Sequence, residues 1–138
     1  MRRNGRRCSL EVAAGYAYLV VEPERPRIGR RARAEIARGR NELWLAPVSV
    51  WELLLLAERG RAKLGEDPSQ RVSEAATRTP AQEAPLNFDV AIRSRQIMLS
   101  HPDPADRFLA ATASIYDLTL VTADARLVDA RACRVLPN

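Results

Sequence analysis

The sequence predicts an α/β domain in which a mostly parallel central sheet is flanked by helices. Short apolar stretches typical of buried strands alternate along the chain with stretches that have helical periodicity. Strands separated by helices need crossover connections, and these join parallel strands. The 138 residues suffice for one core, and no repeat or low-complexity segment divides them. We therefore expect a single domain over residues 1–138.

The first half of the chain is predicted to contain two strands and two helices. Leu10–Val12 is expected as a short strand, and Tyr16–Val21 is an apolar stretch whose type the pattern leaves open. A short helix is predicted over Gly29–Ala37. Leu43–Val48 is apolar enough for a buried strand and runs directly into a helix over Ser49–Gly60, which the glycine ends.

The second half continues the alternation. Its predicted elements are a weak helix within Gly65–Pro85, helices over Asp89–Leu99 and about Ala105–Tyr116, a strand over Leu118–Thr122, a short helix over 125–131 and a last strand over Cys133–Leu136. The strand ending at Thr122 is the clearest of these because it is rich in β-branched residues.

Composition excludes several classes of protein. Apolar residues make up 46% and charged residues 28%, which is typical of a folded globular domain. No apolar run approaches the roughly 18 residues that span a bilayer, and Glu11 interrupts any secretory signal after the basic start, so we expect a cytoplasmic protein. Cys8 and Cys133 are too few for a disulfide framework and are expected as buried free thiols. The single histidine, His101, argues against a histidine-based triad or a multi-histidine zinc site.

The net charge of +5 is unevenly distributed. Residues 1–40 hold 11 arginines against four glutamates, whereas residues 41–138 hold 11 basic against 13 acidic residues. A basic half beside a mildly acidic one suggests a surface that faces a polyanion next to a site rich in carboxylates. On charge alone, an arginine-rich solvated helix explains the same pattern equally well.

Three acidic residues fall at strand ends or at a helix start. Glu52 follows the second predicted strand, Asp106 lies in the first turn of a helix, and Asp124 comes two residues after the clearest strand. Active sites of open parallel sheets lie beyond the carboxyl ends of the strands, so the fold would bring these acids together. Converging carboxylates repel one another unless a cation holds them, and hard oxygen ligands suit Mg²⁺ or Mn²⁺.

Each acid also has a purely structural interpretation. Ser49-x-x-Glu52 fits a capping box. Asp103 and Asp106 fit first-turn acids favoured by the helix dipole, and Asp124 fits an N-cap of the following helix. The local pattern leaves both interpretations open for each residue, and only the combination favours a metal site.

Three segments together carry a resemblance to a known family. They are VSVWE at 48–52, DPADRFLAATA at 103–113 and LTLVTAD at 118–124, preceded by EPER at 22–25 and RRARAEI at 30–36. In order and spacing they resemble a PIN domain, and more narrowly a VapC-type toxin of bacterial type II toxin–antitoxin systems. The resemblance covers about residues 16–136.

The resemblance implies a Mg²⁺- or Mn²⁺-dependent endoribonuclease that forms a homodimer and is inhibited by a small cognate antitoxin. It makes Glu52, Asp106 and Asp124 the catalytic, metal-binding carboxylates. By the same resemblance, Thr122 is a neighbouring polar ligand or hydrogen-bond donor, and Asp103 is expected to support the ligands from just outside.

Arginines are the candidates for contact with RNA. Arg30 and Arg31 lie in the basic segment that would border the site, and Arg107 either pairs with a carboxylate at the surface or reaches an RNA phosphate. The aromatic side chains at strand and helix positions are expected in the core rather than stacked on bases: Trp44, Trp51 and Phe108.

The sequence departs from the family pattern near its start. PIN domains carry a first aspartate at the end of the N-terminal strand, and counting back from residues 22–23 that position falls on Val12. No aspartate precedes Asp67, so we predict weakened metal affinity and reduced nuclease activity. Three explanations stay open: Glu11 substitutes through a β-bulge, the chain is a degenerate PIN domain that binds antitoxin or RNA without cleaving it, or residues 1–12 are an atypical start.

Overall fold

A parallel β-sheet forms the centre of the structure, a computed structural model that describes residues 9–12, 30–37, 42–78, 80–100, 102–122 and 125–137. Its strands are β1 (Ser9–Val12), β2 (Glu42–Leu45), β3 (Ala81–Glu83), β4 (Thr119–Thr122) and β5 (Arg134–Pro137). They lie in the order β3-β2-β1-β4-β5, and every neighbouring pair is parallel. The predicted α/β class with a parallel sheet is confirmed.

Helices connect consecutive strands, as parallel pairing requires. They are α1 (Arg30–Ala37), α2 (Pro47–Glu58), α3 (Pro68–Arg78), α4 (Phe88–Gln96), α5 (Pro104–Ile115) and α6 (Ala125–Ala130). Within the described ranges, no helix is long and apolar enough to cross a membrane.

The strand order reverses between β1 and β4. From β1 the chain proceeds outward to β2 and β3, and then returns to the other side of β1 to add β4 and β5. In parallel sheets, the crevice at such a reversal, beyond the carboxyl ends of the strands, is the usual ligand site. Val12 ends β1 and is the register partner of Val121, so both residues lie at this crevice.

Helix α5 is the central helix of the core. It packs against α4, α2 and β4, and its buried face is made largely of alanines, with Ala110 and Ala111 fully buried. Small side chains allow neighbouring elements to approach closely. Leu109 of α5 and Leu120 of β4 fill the same hydrophobic cluster. Close packing therefore fixes α5, and with it the acidic residues at its first turn.

The boundary between the second strand and the helix after it differs from the sequence prediction. The second strand ends at Leu45 rather than Val48, and Pro47 begins α2. Proline lacks an N–H to donate and has a fixed φ, so it suits the first helical position better than a strand.

The short strand β3 was not predicted, because alanine, glutamine and glutamate have low strand propensity and only pairing with β2 defines it. The Tyr16–Val21 stretch lies outside the described residues.

The aromatic residues were predicted partly correctly. Trp44 stacks on Tyr116 with ring centroids 5.8 Å apart, and Phe108 packs partly buried against the main core. Trp51, however, is 56% exposed. The buried residues of α2 are Ser49 and Leu53, and residue 51 lies midway between them, on the opposite face of the helix. Of the two cysteines, Cys133 is half-buried and Cys8 lies outside the described residues.

Candidate functional site

Strand β4, which borders the reversal of strand order, ends in a polar residue. Thr122 is the last residue of β4 and is only 3% exposed. It directly follows Val121, which is paired in register with Val12. A buried hydroxyl therefore lies at the carboxyl end of β4, and a valine occupies the corresponding end of the central strand.

Helix α5 leads into β4 and packs against it, so the helix and the strand run in opposite directions. The N-terminus of α5 therefore lies at the carboxyl end of β4. Asp103 is its N-cap, and the Asp103 carboxylate accepts a hydrogen bond of 3.0 Å from the backbone N–H of Ala105. Pro104 occupies the first helical position. Asp103 therefore acts as a helix cap, which satisfies an N–H that the helix leaves unpaired. This cap fixes the turn that carries Asp106.

Asp106 lies in the first turn of α5 and is buried, with a side chain only 10% exposed. Its Oδ2 lies 3.7 Å from the Nη2 of Arg126, the second residue of α6. A buried carboxylate is costly unless an opposite charge compensates it. The helix dipole alone does not explain this burial, which is typical of a carboxylate that has a specific charged partner.

Arg126 was not among the residues that the sequence predicted for the site. The residue follows Asp124 by two positions and is contributed by α6, which packs against β4 and β5. Its proximity to Asp106 depends on how α6 returns over the sheet, and no local pattern reports that. The only signal in the sequence is that Arg126 is a basic residue four positions after Thr122 and two after Asp124, both of them site candidates.

Glu52 lies in the second turn of α2, and the proposed capping box is wrong. The helix begins at Pro47 with Ala46 as its N-cap, which makes no side-chain capping bond. Ser49 is therefore inside the helix, and its buried Oγ has no hydrogen-bond partner among the described residues. Glu52 is half-buried, and α2 packs against α5, which carries Asp106. The capping explanation for Glu52 is thus removed, and its role as a metal ligand stays a prediction.

The chemistry of these donors suits Mg²⁺ or Mn²⁺, because Glu52, Asp106 and Thr122 offer only hard oxygen atoms. The described part of the chain offers few such oxygen donors. Considering the described residues alone, no group of three or more acidic, histidine or cysteine side chains gathers where it could hold a metal ion. Asp124, the third predicted carboxylate, lies outside the described residues, as does His101. The described residues therefore include two of the three predicted carboxylates, Glu52 and Asp106, and their donor type is the one that this ion prefers.

The candidate RNA-binding arginines have different environments. Arg30 and Arg31 are exposed at the start of α1. Arg107 is half-buried, and its Nη1 donates to the carbonyl oxygens of Ile97 at 2.7 Å and Ser94 at 3.4 Å. These carbonyls lie at the C-terminal end of α4, where a cation is favourable. Arg107 therefore joins the end of α4 to the first turn of α5.

Solved structures of toxin–antitoxin complexes share this fold. The chain resembles FitAcB from Neisseria gonorrhoeae with a TM-score of 0.62 and 20% identity, covering 92% of this chain and 96% of that one. It resembles VapBC2 from Rickettsia felis, bound to a promoter DNA fragment, with a TM-score of 0.64 and 11% identity over 94% and 98% of the two chains. For VapBC-1 from nontypeable Haemophilus influenzae the values are 0.61, 14%, 94% and 96%. At these identities the likeness shows the fold.

The family itself is shown by sequence. No curated protein matches the chain significantly. The PIN domain family model, in contrast, matches residues 17–132, which include α1 to α6 and leave β1 and β5 outside the matched range. Because this match covers most of the sequence and agrees with the parallel sheet and its helices, the chain belongs to the PIN domain family.

Proposed function

We propose that this PIN-domain chain is a divalent-metal-dependent ribonuclease of the VapC toxin type, with a weakened metal site. The observation that carries the proposal is the buried carboxylate of Asp106, held at the N-terminus of α5 beside the reversal of strand order. PIN domains are generally nucleases that use divalent metal ions. A buried acid at the usual ligand-binding end of a parallel sheet supports the same chemistry here.

In this proposal Glu52, Asp106 and Asp124 hold Mg²⁺ or Mn²⁺. When bound, such an ion supplies an activated water and offsets charge on the phosphate. The chain's own contribution is to fix its oxygen donors: the Asp103 cap orders the first turn of α5, and the strand end holds the Thr122 hydroxyl in a buried position.

Exposed arginines supply the contact with RNA. In this proposal the exposed guanidinium groups of Arg30 and Arg31 bind RNA phosphates. Contacts of this kind position a nucleic acid without reading its sequence. Arg107 is the weaker candidate, since its Nη1 already donates to two backbone carbonyls. Contact between Arg107 and RNA would have to use its remaining donors.

Antitoxin binding and homodimer formation are part of the proposal, together with a cytoplasmic location and one PIN domain over residues 1–138. The structural neighbours FitAcB and VapBC-1 are toxin–antitoxin complexes, which supports an antitoxin as a partner of this chain. Several large apolar side chains of the described residues are also exposed, most of all Phe88, Met98 and Ile92. Phe88 and Ile92 are four residues apart on α4 and so share one face of this helix, and exposed apolar patches commonly mark surfaces that another protein covers.

A second candidate function is a PIN domain that has lost catalysis and binds antitoxin or RNA only. Val12 favours it, because the position that ends the central strand offers no carboxylate. The Arg126–Asp106 pair also favours it, because a guanidinium already compensates the buried acid.

The experiment that separates the two candidates is cleavage of single-stranded RNA by the purified chain with Mn²⁺, with excess chelator, and with Asp106→Asn prepared identically. The ribonuclease proposal expects slow cleavage that the chelator and the substitution both abolish. Intact RNA under all conditions, with binding to RNA or antitoxin retained, overturns it in favour of the second candidate. Equal cleavage by Asp106→Asn assigns the activity to a contaminant or to another site.

A further inference from the structure

We propose that Arg126 is a built-in counter-ion of Asp106, which a divalent cation must displace before it binds this carboxylate. The inference rests on the proposed function, because it assumes that Asp106 is a metal ligand. It adds an internal competitor for the metal to that site.

The burial of Asp106 creates the need for a counter-ion. Its side chain is 10% exposed, and a carboxylate removed from water is destabilising unless positive charge lies nearby. The Nη2 of Arg126 lies 3.7 Å from Asp106 Oδ2. The guanidinium thus supplies charge compensation in the metal-free protein, which is the role that a divalent cation would otherwise fill.

The geometry of the pair permits displacement. A separation of 3.7 Å is longer than the roughly 2.7–2.9 Å of a charge-assisted hydrogen bond. The Arg126 side chain is 53% exposed, so its guanidinium regains hydration if it moves away from Asp106. Arg107 is the contrasting case, since it is half-buried and donates at 2.7 Å to a helix-end carbonyl.

The valine at position 12 makes the competition more important. With no acid there, Glu52 and Asp106 are the proposed carboxylate ligands within the described residues. The Arg126 guanidinium beside Asp106 offsets one of these two charges. Because cation affinity depends on the number of ligand charges, Arg126 lowers the affinity of this site more than it would lower that of a larger acidic cluster.

The test compares Arg126→Gln with Arg95→Gln, a matched change at an exposed arginine of α4. Free Mn²⁺ is measured by electron paramagnetic resonance during titration of each full-length variant, and thermal unfolding is measured without metal. We expect Arg126→Gln to bind Mn²⁺ about 3- to 10-fold more tightly than the unsubstituted chain, with Arg95→Gln unchanged. We also expect Arg126→Gln to unfold at a lower temperature without metal and to regain stability when Mn²⁺ is added.

The outcomes separate this inference from the proposed function. Equal Mn²⁺ affinity in Arg126→Gln and the unsubstituted chain, together with loss of binding in Asp106→Asn, overturns the counter-ion and leaves the metal site intact. An equal gain in Arg95→Gln also overturns it, since the effect is then one of net charge. Absence of binding in every variant overturns both proposals. Binding only after Arg126→Gln supports the counter-ion most strongly.

Discussion

Val12 of β1 and Val121 of β4 are register partners at the carboxyl ends of two adjacent strands. The strand order reverses between these strands, and Thr122 follows one residue later. An apolar residue therefore ends the central strand at the point where a parallel sheet most often binds its ligand. This relationship underlies our expectation of a weakened metal site.

Restoring an acid at this position is predicted to strengthen the site. Val12→Asp adds a carboxylate at the strand end, so we expect Mn²⁺ affinity to rise by about tenfold or more, because each added ligand charge favours the cation. Val12→Asn is the matched control, since it has nearly the same shape as aspartate without the charge. A comparable gain in both variants, or none in Val12→Asp, would show that the remaining ligands do not converge on this strand end.

Glu52→Gln is predicted to separate metal binding from helix stability. Because Ala46 and not Ser49 is the N-cap of α2, Glu52→Gln breaks no capping bond, and glutamine keeps a side-chain oxygen that can accept a hydrogen bond. We therefore expect the free energy of unfolding to change by less than about 1 kcal/mol, while Mn²⁺ affinity falls. Urea denaturation and Mn²⁺ titration measure the two quantities. Glu58→Gln, at the exposed end of the same helix, should change neither. A loss of stability without any loss of Mn²⁺ affinity would assign Glu52 a structural role.

Asp103 is predicted to act as a helix cap. Asp103→Ala should lower the free energy of unfolding by about 0.5–2 kcal/mol, because the backbone N–H of Ala105 loses its acceptor. Asp103→Asn keeps a capping oxygen, so it should recover most of that stability. It should also bind Mn²⁺ about as tightly as the unsubstituted chain. If Asp103→Asn loses Mn²⁺ binding as completely as Asp106→Asn, then Asp103 is a metal ligand rather than a cap.

Arg107 is predicted to contribute to stability more than to metal binding. Arg107→Gln removes the cation that joins the carbonyls of Ile97 and Ser94 to α5, and should lower the free energy of unfolding by about 1–3 kcal/mol. Its Mn²⁺ affinity should stay close to that of the unsubstituted chain. Unchanged stability in urea would indicate that these hydrogen bonds do not hold α4 to α5.

Much of the fold could be predicted because its signals are local. The β-branched residues before Thr122 marked a buried strand, and alternation with helices required parallel pairing. The exceptions depended on neighbours in space. Strand β3 is defined by pairing with β2 rather than by its own residues, and the start of α2 at Pro47 shifted Ser49 from a cap to a buried helical position.

The same contrast holds for the candidate site. Strand ends and helix starts suggested Glu52 and Asp106 as candidates, and the structure buries Asp106 in the first turn of α5. Arg126 could not be found in this way, because its distance to Asp106 is determined by how α6 packs on the sheet. Contacts between residues of different elements depend on the tertiary structure, so local patterns in a single sequence do not reveal them.

The most direct test of the central claim is calorimetric titration of Mn²⁺ into the full-length chain, with Asp106→Asn as the control. If the buried carboxylate belongs to a metal site, the unsubstituted chain binds Mn²⁺ in the micromolar range and Asp106→Asn does not. Binding of equal strength in both proteins, or in neither, would contradict the assignment of Asp106 as a metal ligand.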